Sequence, residues 1–182
     1  MPSVTVFLSS STTVDPVFFD LARQTGRAIA QEKWTLVYGG NAVGPMKALA
    51  DGAREAGGRV VGITPHVFVE MGLADKECDE LILVDSMRER KKLLEARADA
   101  FLTLPGGLGT LEEFIEILVA KQLKYHAKPM VVIDHKDVWK PLMEYFDHGI
   151  RMGFVRAQTP NDFTCVNDVP AAMRILKESL GK

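Results

Sequence analysis

The stretch Ala100–Phe114, AFLTLPGGLGTLEEF, constrains this chain more than any other. An apolar run that reads as a buried strand meets Pro105 and three glycines. A helical pattern then begins, with Leu111, Phe114, Ile115 and Leu118 on one face. Glycines at a strand-to-helix junction let backbone approach a ligand closely, and the free N–H groups at the helix start favour an anion. The loop is therefore a candidate phosphate site. It lacks the Lys-Ser/Thr of a nucleoside triphosphate loop and the G-x-G-x-x-G order of a dinucleotide fold, which leaves a smaller phosphate ester. A ligand-free reading also stands: Thr110 and Glu113 spell the T-x-x-E capping box that closes a helix start by itself.

The rest of the chain repeats the same unit. Val4–Leu8, Thr35–Tyr38, Arg59–Ile63, Leu81–Val84, Pro129–Ile133 and Phe163–Val166 read as further strands. Helical patterns follow Asp15-Pro16, Pro45, Ser86, Val138 and Asp168, and Ser86-Met87-Arg88-Glu89 spells another capping box. Residues 64–80 are predicted to be irregular, in the manner of a lid or binding loop. The expected architecture is α/β: one Rossmann-like domain over residues 1–182, a doubly wound, mostly parallel sheet with helices on both faces. A second glycine loop, Gly39-Gly40-Asn41-Ala42-Val43-Gly44-Pro45, follows the second strand, and the polar run Ser9–Thr13 follows the first. All three loops are expected at the carboxyl edge of the sheet, where open α/β sheets bind ligands.

The helix after Ser86 starts at that edge and carries Arg90 and Lys91 near its beginning, where cations oppose the helix dipole. Such a run is usually a solvated face, but an anion in the same crevice would relieve the conflict, and arginine suits bidentate phosphate contact. Other chemistries find little support. Four histidines without metal-ligand spacing argue against a metal site, and no G-x-S-x-G elbow is present. A net charge of −2 argues against a nucleic-acid polymer as partner. No apolar run is long enough to cross a bilayer. Cys78 and Cys165 make no disulfide framework, and Met1-Pro2-Ser3 leads directly into a strand, so a cytoplasmic protein without a leader is expected.

These residues resemble the LOG family, the cytokinin riboside 5′-monophosphate phosphoribohydrolases, some of which carry an old label of lysine decarboxylase. The signature P-G-G-x-G-T-x-x-E is present as Pro105, Gly106, Gly107, Gly109, Thr110 and Glu113, and the R-K pair as Arg90-Lys91. Val37–Gly40, Gln122-Leu123 and His126–Pro129 match as well. The resemblance implies hydrolysis of the N-glycosidic bond of a nucleoside 5′-monophosphate, AMP or an N6-substituted AMP, without a cofactor and in a homodimer. It implies catalysis by Arg90 and Glu113. Contacts to substrate or phosphate are then expected from Ser10, Gly40, Gly44, Met87, Lys91, Gly106, Gly107, Leu108, Gly109 and Thr110. Glu112, a third of a helical turn away, is expected to face elsewhere.

The chain departs from the family at Asn41, where a third glycine is usual, and at Lys47, Ser9, Gly72 and Val119-Ala120. These changes bear on the base and ribose pocket. The alternative reading is a non-catalytic nucleotide or molybdenum-cofactor carrier of the same fold. A decarboxylase using pyridoxal phosphate lacks a lysine singled out for it.

Overall fold

The computed structural model describes residues 1–181. Seven strands form one sheet: β1 Ser3–Phe7, β2 Thr35–Tyr38, β3 Val60–Pro65, β4 Glu80–Val84, β5 Ala100–Thr103, β6 Met130–Ile133 and β7 Thr164–Val166. Their order is β4-β3-β2-β1-β5-β6-β7, and every pairing is parallel. The helices are α1 Pro16–Gln31, α2 Gly44–Glu55, α3 His66–Glu70, α4 Met87–Ala96, α5 Leu108–Gln122, α6 Lys140–Arg151 and α7 Val169–Leu180. None of them is long and apolar enough to cross a membrane.

Alternation along the strands divides the core. Val4, Val6, Leu36, Tyr38, Leu102 and Ile133 face one layer, formed with α1, α2 and α7. Phe7, Val37, Phe101 and Val132 face the other, with α4, α5 and α6. On the first side α1 and α2 lie so close that a Cβ at Gly26 would collide with the Leu49 carbonyl, and one at Gly52 with that of Arg23. Asp15 and Asp168 cap α1 and α7, accepting from the Val17 and Ala171 amides at 2.9 and 2.8 Å.

The chain winds outward from β1 to β4, then crosses to β5 on the far side of β1. The carboxyl ends of β1 and β5 thus flank the point where the winding reverses, the place where such sheets open a crevice.

Two segments differ from expectation. Residues 64–80 are not structureless: β3 extends to Pro65, α3 follows at once, and Gly72, at φ +70°, ends it by donating to the Val69 carbonyl at 3.0 Å. The Thr110–Glu113 capping box does not form. Helix α5 starts at Leu108 with Gly107 as its cap and no side-chain capping bond, which places Glu113 within the second turn. The Ser86 box does form, with Ser86 Oγ accepting from Glu89 N at 3.2 Å and Glu89 Oε2 from Asp85 N at 3.0 Å.

Candidate active site

A cleft of about 310 Å³ opens at the reversal point. Leu8–Ser11 from the end of β1, Asn41 and Met46 from the β2–α2 connection, and Phe68 from α3 form part of its wall. Met87 and Arg90 of α4, with Gly107, Gly109, Thr110, Glu112 and Glu113 of the third loop and α5, complete it.

The start of α5 supplies main-chain donors. With no side chain capping it, the amides of its first turn have no partner within the helix, and the dipole adds positive potential. Gly106 permits this geometry, because a Cβ there would run into the Thr110 side chain.

Arg90 is only 4 % exposed. Its Nε donates to the Ile63 carbonyl at 2.9 Å and its Nη2 to the Gly39 carbonyl at 2.8 Å, so the ends of β2 and β3 fix the guanidinium. A Cβ at Gly39 would occupy the space of Nη2 and displace the guanidinium. The Phe68 ring lies 5.9 Å beneath the cation. Burial lowers the Arg90 pKa, while the nearby charge of Glu113 opposes that shift.

Glu113 is 8 % exposed and makes no hydrogen bond to any described residue. Burial pushes its carboxyl up to about 7, against the pull of Arg90. The two charges sense each other without coming within ion-pair distance. A buried cation and a buried carboxylate, neither quenched by the other, are costly in a folded chain unless a ligand completes them.

Several expected contacts lie elsewhere. Lys91 does not line the cleft; it pairs with Glu112 and Glu116 at 2.7 and 2.8 Å. Gly40 and Gly44, at φ +68° and +58°, shape the second loop against β3 and the Ser10 carbonyl without lining the cleft. The Leu108 side chain points outward at 85 % exposure while its amide stays in the first turn of α5, and Gly106 borders a neighbouring apolar groove with Val14, Phe18 and Val138. Glu112 does not face away as expected: it stands at the cleft rim. Sequence reasoning missed Phe68, although Pro65 before and Gly72 after a run of helix-compatible residues were the available signal.

Comparison with known proteins gives the family. Residues 46–176 match the family described as "Possible lysine decarboxylase". A cytokinin riboside 5′-monophosphate phosphoribohydrolase of Rhodococcoides fascians is 38 % identical over 96 % of this chain and 89 % of its own length. The chain belongs to the LOG family. A LOG protein of the same description from Mycobacterium tuberculosis is also 38 % identical, over 94 % of this chain and 91 % of its own. Among solved structures, the molybdenum cofactor carrier protein of Chlamydomonas reinhardtii shares the fold at a TM-score of 0.76 and 24 % identity, covering 100 % of this chain and 99 % of that one. Among the described residues, no lysine lines the cleft.

Proposed function

We propose that this chain hydrolyses the N-glycosidic bond of a nucleoside 5′-monophosphate, AMP or an N6-substituted AMP, to free base and ribose 5-phosphate. The observation that carries the reading is the pair Arg90 and Glu113, buried in one cleft beside an uncapped helix start and without an ion-pair partner among the described residues. In the proposed reaction the 5′-phosphate sits against the amides of Gly107–Thr110, which fixes the sugar for attack. As the C1′–N bond breaks, its electron pair leaves with the base and positive charge develops on the sugar. The Glu113 carboxylate stabilises that charge and accepts a proton from water as the water oxygen bonds to C1′; the leaving base nitrogen takes up one proton, which balances the one given to Glu113 and returns the carboxylate on exchange with solvent. Arg90 holds the cleft positive, which favours the substrate anion and the ionised form of Glu113.

Identity to phosphoribohydrolases over nearly the whole chain supports this reading. A carrier function has fold likeness alone behind it, and a pure anion binder gains nothing from a desolvated carboxylate. Leu108 and Val119 of α5 and Leu123 just after it are exposed apolar side chains, which supports a homodimer as the working unit. Sedimentation at twice the 20.1 kDa chain mass would bear that out, and sedimentation at the chain mass would refute it. Two free cysteines, Cys78 and Cys165, suit a cytoplasmic setting. The activity is tested by incubating the purified protein with AMP, N6-substituted AMP and other nucleoside monophosphates. Release of free base together with ribose 5-phosphate is expected; release of neither would refute the proposal.

A further inference from the structure

Asn41 follows Gly39 and Gly40 at the end of β2, and its backbone is fixed. It bridges Ala74, with Asp75 N donating to the Gly40 carbonyl at 2.8 Å and Ala42 N to the Leu73 carbonyl at 2.7 Å. Its side chain is in a different situation. The residue is 7 % exposed and lines the cleft, yet Oδ1 is shut away from solvent with no hydrogen-bond donor among the described residues. Buried amides are nearly always paired, so an unpaired one in a ligand cleft marks a contact to be completed.

Position says what completes it. In the sheet β2 is separated from β5 by β1, so Asn41 lies two strand spacings, about 10 Å, from the strand that leads into the α5 start. A nucleotide is long enough to span that distance from its phosphate to its base. Met46, Phe68 and Met87 are apolar neighbours along the wall, which suit the faces of a flat base.

Resting on the hydrolase reading, we infer that Asn41 is a specificity-determining residue that reads the amino edge of an adenine-type base. With the carboxamide turned into the cleft, Oδ1 accepts from N6–H and Nδ2 donates to N7, the two-point match of a carboxamide to adenine. A single N6 substituent leaves one N–H for this bond.

The test compares binding of AMP, IMP, 2′-deoxy-AMP and ribose 5-phosphate by calorimetry, in a Glu113→Gln background that prevents turnover, with Asn41 intact, Asn41→Gly or Asn41→Ala. With Asn41 intact, AMP should bind about tenfold or more tighter than IMP. Both replacements should bring that ratio close to one, leaving ribose 5-phosphate affinity and the AMP to 2′-deoxy-AMP ratio unchanged. Two replacements, each checked by thermal melting, guard against a folding defect in one of them. An unchanged AMP to IMP ratio overturns the assignment, as does a change confined to the deoxy pair or an equal loss for all four compounds. If nucleotides bind and wild-type protein cleaves AMP while any of these results is found, the hydrolase reading stands without Asn41. If no nucleoside monophosphate binds or is cleaved, both fall.

Discussion

Tyr38 and Gly39 are adjacent in the chain, and each anchors a buried charged group of opposite design. Tyr38 Oη donates to Asp75 Oδ2 at 2.6 Å, and Asp75 also accepts from Arg54 Nη1 at 2.8 Å and from the Glu77 amide at 3.1 Å. Burial pushes Asp75 up, but the bonds from Tyr38 and Arg54 outweigh it and hold the carboxyl below its usual range. Burial, helped by the charge of Asp75, raises Tyr38 well above an ordinary phenol, so it stays a neutral donor. One residue later, the Gly39 carbonyl holds Arg90, and the buried carboxyl whose charge acts on it, Glu113, has no hydrogen bond to any described residue and rises to about 7. The first group is self-satisfied and ties the loop after α3 to α2. The second keeps both charges available to whatever enters the cleft. Burial and charge are common to the two; completeness of pairing separates structure from function.

The largest effect that tests this contrast is on Glu113. Glu113→Gln keeps the shape and removes the charge, and should lower turnover by about 10²–10⁴-fold, read as base released from AMP. It should also stabilise the fold, with a definite pH dependence. Because the folded pKa lies near 7 and the ordinary value is 4.5, the native state binds an extra proton between those limits. The protonated carboxyl gives wild-type protein its full stability below pH 4.5, and that contribution is lost as pH rises through 7. Denaturation curves should therefore show the Gln variant gaining on wild type from pH 4.5 upward, by about 3 kcal/mol at most above pH 7. A capping role for Glu113 predicts the reverse: a variant that is no more stable and remains active.

Asp75→Ala should give the complementary pattern. It strips Tyr38 and Arg54 of their shared acceptor, with Arg54 retaining Asp51 at 2.7 Å, so a loss of about 2–4 kcal/mol in denaturant unfolding is expected. Below its melting temperature the variant should keep kcat within about fivefold of wild type, since Asp75 does not line the cleft. A collapse of kcat in a protein that is still folded would break the distinction between the two groups.

The same contrast explains what could be read from residues alone. Strands buried on both faces, Pro and Asp at helix starts and glycines after strands are local signals, and each left a mark in the sequence. Strand order and pairing are not local, and neither is the destination of a side chain. Arg90-Lys91 reads as one basic pair, but on a helix neighbours diverge by about 100°, and here one is buried on carbonyl oxygens while the other bridges two exposed glutamates. The T-x-x-E spelling at Thr110 is legible, yet Thr110 is packed against Gly106 and the helix begins earlier, which turns Glu113 into the cleft. The unpaired state of Asn41 is a tertiary property and has no sequence signal beyond its departure from glycine.

The smallest expected effect belongs to Glu112, the neighbour that shares the cleft with Glu113 but none of its burial. Glu112 stands at the rim with its side chain 60 % exposed, and its contact is Lys91 Nζ at 2.7 Å. Water screens that pair, and Lys91 keeps Glu116 at 2.8 Å when Glu112 is neutralised. Glu112→Gln should therefore cost no more than about 0.5 kcal/mol in stability and change turnover less than about threefold. It also removes one negative charge that raises Glu113, so the pH at which Glu113 ionises should move down slightly, seen as an earlier rise in the pH–rate profile. A loss of activity comparable to that of Glu113→Gln would mean that carboxylate proximity to the cleft, and not desolvation of one carboxylate, sets the chemistry.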